Sequence, residues 1–345
     1  MESSATESLR LPSLMPPTNS ILVIKDKLNL VVEILAFLFV ILPYYLLLTV
    51  YRKLYPPPEK SLQTKNVIVT GAGHGLGRGL ALRLAREGAK VAVVDVDGIS
   101  AAQTARDIVE TGGVARSYVT NVAKIEEIRK LHVNVVKDLG SVDLLINNAG
   151  LLYTASIKDS SEAEIRTVID VNLLSHFWIA QEFLTEMKSR NSGHIVAISS
   201  MAAIASVANG SAYSASKWGV CGFMEVLRAE LNQNPKNNVK TTTILPYFIN
   251  TSEQYVNRWD IRLPPLSIDE VVEEIVTAVK REEVLLSIPR HMYYTSLIKL
   301  LPVDIGNYLF SILYCKLKPP SEEEKLTDRT HNLTSEHIKN KQLKE

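Results

Sequence analysis

The chain has 345 residues, and its 38 Lys and Arg are balanced by 37 Asp and Glu, leaving a formal charge of +1. No net field draws it to polyanions, so nucleic-acid binding is not indicated. Hydrophobic residues at 46% and charged residues at 22% exclude a disordered or collagen-like chain. Two cysteines, Cys221 and Cys315, are too few for a disulfide framework and lack metal-ligand spacing, so no metal site is expected.

Residues 1–29 carry Ser3, Ser4, Pro12, Pro16 and Pro17 with little apolar periodicity and read as a tail. Residues 30–51 read as a membrane anchor: no charge occurs from Ile34 to Tyr51, and a bilayer core needs roughly 20 apolar residues. Tyr44, Tyr45, Tyr51 and Tyr55 followed by Arg52 and Lys53 give the order expected where a helix leaves lipid for water. A cleaved signal peptide is disfavoured, because about thirty residues precede the run and no small-residue cleavage site follows it. Pro43 leaves two shapes open, a kinked span or a hairpin within one leaflet. The slight excess of cations after the run favours a cytosolic catalytic domain.

Residues 52–63 contain Pro56, Pro57 and Pro58 and read as a stiff linker. From Asn66, β-branched runs alternate with helical stretches, with strands near 66–70, 90–95, 114–119, 143–147, 194–199, 239–245 and 283–288. This alternation predicts an α/β fold, a doubly wound parallel sheet in a single domain over 64–290. Ser267 to Glu270 form a capping box that starts the last helix of this domain. Residues 291–320 are apolar but broken by Pro302 and Asp304; they either lie in a membrane interface, cover the substrate cavity or close the core. Residues 321–345 read as a solvated tail. Three N-glycosylation patterns start at Asn209, Asn250 and Asn332, and the first two sit where a glycan would obstruct the cleft.

Directly after Val67-Ile68-Val69 comes Thr70-Gly71-Ala72-Gly73-His74-Gly75-Leu76-Gly77, followed by a helical stretch. Glycines there admit a tight turn and let a pyrophosphate approach the positive end of a helix. The next strand ends in Asp95, where a carboxylate can accept hydrogen bonds from an adenosine ribose. A 2′-phosphate would meet like charge, so NAD is favoured over NADP; the bland alternative is a solvated strand-end residue. Ser200, Tyr213 and Lys217 are spaced S-x12-Y-x3-K, which puts Tyr213 and Lys217 one helical turn apart on one face. A nearby ammonium favours the phenolate and lowers a tyrosine pKa toward useful proton transfer.

With these motifs, together with Asn147-Asn148-Ala149-Gly150 and Val171-Asn172-Leu173, the sequence resembles the short-chain dehydrogenase/reductase family over about residues 64–290. The resemblance implies that Tyr213 exchanges the substrate proton, Ser200 bonds the substrate oxygen, Lys217 tunes the tyrosine and holds the nicotinamide ribose, and Asn172 supports a proton relay. It implies cofactor contacts from Gly71, Gly75, Leu76, Gly77, Asp95, Asn121, Val122, Asn148, Gly150, Ile249 and Thr251, alongside Tyr213 and Lys217. Two positions depart from the family pattern: Asn121 replaces an acidic residue, and Tyr247 replaces a glycine in Pro246-Tyr247-Phe248-Ile249-Asn250-Thr251. That departure, the anchor, the run Val239 to Thr243 and the tail after Pro289 resemble the membrane-bound subgroup of epidermal retinol dehydrogenases and lipid-droplet 17β-hydroxysteroid dehydrogenases. It implies a lipophilic alcohol or carbonyl substrate, residence at the endoplasmic reticulum membrane or lipid droplet, and a homodimer formed through the helices carrying Asn172 and Tyr213.

Ser252 to Pro265, with Tyr255, Trp259, Ile261 and Leu263, read as a gate over the substrate, or as aromatics packed under a loop. The competing readings are an NADPH-dependent lipid carbonyl reductase and a non-catalytic scaffold. The complete Asn172, Ser200, Tyr213 and Lys217 set argues against a scaffold.

Overall fold

The computed structural model describes residues 20–56, 58–205, 208–251, 259–261, 263–313 and 315–317, and the chain divides into two units, Met1–Pro58 and Glu59–Glu345. In the first unit α1 (Ser20–Ala36) and α2 (Leu42–Leu54) are joined by one wide π turn, Phe37–Ile41. The helix therefore already runs at Ser20, within the stretch read as a tail. Leu42 N–H reaches back to Phe37 O, and this extra residue in the turn precedes Pro43, which has no N–H to give. The helix continues through Pro43 instead of reversing. None of the residues in the apolar stretch Lys27–Leu48 is buried, and at 1.5 Å per residue its 22 residues rise about 33 Å, enough for a hydrocarbon core.

The second unit is built on a parallel sheet of seven strands: β1 (Asn66–Thr70), β2 (Lys90–Asp95), β3 (Val114–Val119), β4 (Leu144–Asn147), β5 (Gly193–Ile198), β6 (Val239–Pro246) and β8 (Leu285–Ile288). Their order is β3-β2-β1-β4-β5-β6-β8, so the chain reverses direction across the sheet between β1 and β4. That switch opens a crevice at the carboxyl ends of the two strands. All seven expected strands are present within two residues of their expected ends, and the doubly wound fold is borne out.

Alternation along each strand feeds two cores. Val67 and Val69 face α3 (Gly75–Arg86), α4 (Gly98–Glu110) and α9 (Ile268–Lys280), through Leu80, Ile108 and Ile275. Ile68 and Leu145 face α5 (Ile125–Leu139), α7 (Ser175–Ser189) and α8 (Ser211–Asn232), through Ile128, Phe183 and Met224. α6 (Glu162–Ile169) runs through a second π turn, Asp170–Leu174, straight into α7. A three-residue strand β7 (Trp259–Ile261) pairs antiparallel with β9 (Cys315–Leu317). After β8 come a 3-10 run, Arg290–Leu300, and α10 (Val303–Leu313). The remainder of the expected gate, residues 252–258 and 262, lies outside the described residues, as does the polar tail.

The amino-terminal end of the sheet is held by charge. Glu59 pairs with Lys280 at 2.9 Å and Arg281 at 3.0 Å, Lys60 N–H donates to Lys280 O at 2.9 Å, and Leu62 is buried in the core. Residues 59–63, placed in the linker by composition, thus belong to the folded unit. Lys60 Nζ lies 2.9 Å from His194 Nδ1; a lysine only donates, so Nδ1 accepts and the proton sits on Nε2, 2.7 Å from Thr242 Oγ1. Thr242 in turn donates to Glu283 O at 2.6 Å. Burial and the neighbouring Lys60 hold His194 well below the usual imidazole pKa, so this ring stays neutral.

Candidate active site

The cofactor side is built from close backbone approaches. Gly71 has φ +64° and Gly75 φ +51°, the left-handed region that favours glycine. A Cβ on Gly77 would lie 2.0 Å from Gly71 O, and one on Gly71 would lie 2.9 Å from Ala149 Cα. α3 then starts behind His74, whose side chain makes no cap bond, so the first N–H groups of the helix remain available to an anion. Thr70 and Asn148 staple β1 to β4: Asn148 N–H and Ala149 N–H donate to Thr70 Oγ1 at 3.0 and 3.1 Å, and Asn148 Nδ2 donates to Thr70 O and Gly71 O. The turn, its uncapped helix and the crevice fit a dinucleotide.

Asp95 closes the other side of the turn. Its Oδ2 accepts from Gly73 N–H at 2.8 Å and its Oδ1 from Asp97 N–H at 3.0 Å, which fixes the carboxylate while each oxygen keeps a lone pair. His74 is turned aside to Ser100 Oγ at 2.8 Å. Leu76 and Val122 have side chains buried in the two cores, so only their backbones are open to a cofactor. Asn121 is used locally: its N–H donates to Glu127 Oε2 at 2.7 Å and its Oδ1 accepts from Ala123 N–H at 3.0 Å. Its amide NH2 is the part left for an adenine.

Beyond the crevice lies a cavity of about 390 Å³. Asn148, Gly150, Ser200, Tyr213, Lys217, Ile249 and Thr251 all line it, and Gly75 adjoins it, since a Cβ there would be 3.5 Å from Thr251 Cγ2. Ser200 follows β5, and its Oγ accepts from Ala202 N–H at 3.1 Å. Lys217 is buried, donates to Ile198 O at 2.9 Å, and stands 5.8 Å from the centre of the Tyr213 ring. Burial pulls its pKa down to about 8, against a small opposing pull from Cys221. Tyr213 is pushed above the ordinary phenol value by burial, and the hydrogen bond with Ser200 acts in the opposite direction. Without cofactor, desolvation therefore outweighs the Ser200 hydrogen bond in setting the phenol. A bound oxidised nicotinamide would add positive charge beside it.

Asn172 does not line the cavity. It is buried in the π turn behind it, where Oδ1 accepts from Leu151 N–H at 2.7 Å and Nδ2 donates to Leu151 O at 2.9 Å and Ser216 Oγ at 3.2 Å. Ser216 Oγ donates to Tyr213 O at 2.7 Å. Asn172 thus couples the loop after β4 to the helix of Tyr213, and its side chain is fully engaged in doing so. Most of the remaining wall is apolar, with Leu151, Leu152, Met201, Tyr247 and Phe248, while Thr154, Ser199 and Ser214 add hydroxyls. Sequence reading did not single out Leu151, Leu152 or Met201, although they directly follow the Asn-Asn-Ala-Gly run and Ser200. Tyr247, noted only as a departure from glycine, supplies part of that wall.

A family model described as short chain dehydrogenase matches residues 65–260. The chain is 31% identical over 277 residues to 17-beta-hydroxysteroid dehydrogenase 13 of Homo sapiens, covering 80% of this chain and 91% of that one. It is 34% identical over 254 residues to epidermal retinol dehydrogenase 2 of Mus musculus, covering 72% and 82%. Among solved structures, a metagenomic short-chain oxidoreductase in complex with NADP is 28% identical with a TM-score of 0.57, covering 66% of this chain and 96% of that one. The glycine turn, the Ser200, Tyr213 and Lys217 cluster and these likenesses agree: the chain belongs to the short-chain dehydrogenase/reductase family and is an NAD(P)-dependent alcohol dehydrogenase/reductase.

Proposed function

We propose that the protein is a membrane-anchored dehydrogenase that oxidises a lipophilic alcohol, of retinol or steroid type, with NAD. The observation that carries this reading is the cavity itself, where Ser200, Tyr213 and Lys217 face a largely apolar wall that includes Leu151, Leu152, Met201, Ala205 and Phe248. Such a wall favours a bulky apolar body by roughly 25 cal/mol per Å² buried and leaves one polar corner for a hydroxyl. The relatives named for hydroxysteroids and retinol support the same class.

Tyr213 takes the alcohol proton, Ser200 holds the same oxygen, and Lys217 supplies the positive charge that favours the phenolate. A bound nicotinamide supplies the hydride acceptor. Asn172 fixes the loop and helix that carry these groups. The preference for NAD rests on Asp95, whose anchored carboxylate would repel a 2′-phosphate. The apolar helix Lys27–Leu48 supports the anchor, and placement at the endoplasmic reticulum membrane or lipid droplet follows from the subgroup resemblance.

NADH formation by the membrane-bound protein with all-trans-retinol, estradiol and a long-chain alcohol tests the reading. Turnover of one of them should fall by roughly 10²–10⁴-fold in Tyr213→Phe while NAD binding persists. No turnover of any, or faster turnover with NADP, would count against the substrate class or the Asp95 argument respectively.

A further inference from the structure

We infer that the face formed by the Arg290–Leu300 run and α10 docks on the surface of a lipid bilayer. This inference rests on the membrane-anchored reading above. Leu300 is 81% exposed, Val303 75% and Tyr294 68%, with Leu297 and Ile305 also exposed. Between Met292 and Leu313 the sequence carries only Lys299 and Asp304 as charges. A monomeric soluble protein rarely leaves so many large apolar side chains together in water.

The opposite side of the same segment is already occupied. Met292 is buried in the cluster formed with Met201 and Tyr247, and Phe310 packs against it. The core needs no further cover, so the outward residues serve some other apolar phase. The segment is too short and too interrupted by Pro302 to cross a bilayer, which leaves an interfacial position.

Two observations favour lipid over a second protein surface. Lys299 Nζ lies 3.6 Å from the centre of the Trp218 ring, and Trp218 is 45% exposed. Aromatic rings with a basic head beside them are the side chains that settle at the headgroup level. The chain also carries Lys27–Leu48, a helix long and apolar enough to cross a bilayer with none of its residues buried, and few residues join that helix to Glu59. A tethered face meets the surface it is tethered to at high effective concentration, whereas another copy must be met by diffusion.

The test uses the full chain with Cys221→Ala and Cys315→Ser, reconstituted in phosphatidylcholine vesicles. Leu300→Cys, Val303→Cys and, as an exposed control on α5, Val133→Cys each carry an environment-sensitive dye. Dye at 300 and 303 should emit as from an apolar medium and lose at least about half its intensity with brominated phosphatidylcholine, while dye at 133 stays unaffected. If the protein floats with the vesicles but dye at 300 and 303 reports water, docking is overturned and the anchor stands. Apolar emission that brominated lipid does not quench, and that grows with protein density, would overturn it in favour of self-association. Failure to float at all would instead remove the membrane reading beneath it.

Discussion

At the amino-terminal end of the sheet, Lys60 is half-buried beside His194 and Glu282; at the carboxyl end, Lys217 is buried beside Tyr213 and the Ile198 carbonyl. Burial lowers both lysines. For Lys60 the Glu282 charge and hydrogen bond oppose the fall, while for Lys217 the opposition is only the weak pull of Cys221. Lys60 finds both an imidazole and a carboxylate within the chain, in His194 and Glu282. Lys217 donates to the Ile198 carbonyl and, among the described residues, pairs with no carboxylate. A buried polar group normally finds its partner, so the difference marks where a bound molecule completes the site.

The largest expected effect falls at the under-partnered end. Lys217→Met should lower kcat by at least roughly 10²-fold, as removal of a proton-transfer aid does. Its stability should respond to pH with a definite sign. Below pH 8 the lysine is charged in both states and its burial costs the fold. Between about 8 and its ordinary 10.5 the folded chain releases the proton while the unfolded chain keeps it, so the native protein gains stability as pH rises. The gain is on the order of 3 kcal/mol at most. Melting of both proteins across this range should show the variant at its greatest advantage below pH 8, with the gap narrowing toward pH 10. A gap that does not change with pH would remove the contrast between the two lysines.

The opposite end should fail in the opposite way. His194→Ala opens a cavity and takes one hydrogen-bond partner each from Lys60 and the Thr242 hydroxyl, so unfolding should become easier by about 2–4 kcal/mol. Because nothing in that chain of bonds reaches Tyr213, kcat/KM of the folded fraction should stay within about twofold. Denaturant midpoints beside single-substrate kinetics measure both quantities. Lost activity at unchanged stability would place His194 in the reaction and break the division between the ends.

What could be read in advance follows the same division. The strands are legible because parallel, doubly covered strands must be continuous apolar runs such as Val67-Ile68-Val69, and the glycine turn because no other residue survives a Cβ at Gly77. Tyr213 and Lys217 are legible because helical spacing alone puts them on one face. Asn172 is visible as a motif, but its two-way bond to Leu151 depends on a π turn that no local periodicity announces. The Lys60 to His194 contact joins residues 134 apart, and composition alone assigned Lys60 to a linker. Leu151, Leu152 and Met201 look like ordinary core residues until the loops after β4 and β5 are folded back around one space.

The smallest expected effect separates stability from positioning within one motif. Ser161 and Ser267 each complete a capping box, with Glu164 and Glu270, and cap α6 and α9 respectively. Replacing either serine by alanine removes an acceptor for one helix N–H and should lower Tm by roughly 2–4 °C. α9 ends in Lys280, within the charged end of the sheet, so Ser267→Ala should leave kcat unchanged. α6 instead runs without a break into the π turn that holds Asn172, and Asn172 is bonded to Leu151 and to Ser216 beside Tyr213. A loosened start of α6 therefore reaches the groups that hold the substrate oxygen. Ser161→Ala should reduce kcat by a few-fold at an equal loss of Tm, and equal kinetics in the two variants would show that the π turn holds Asn172 without help from α6.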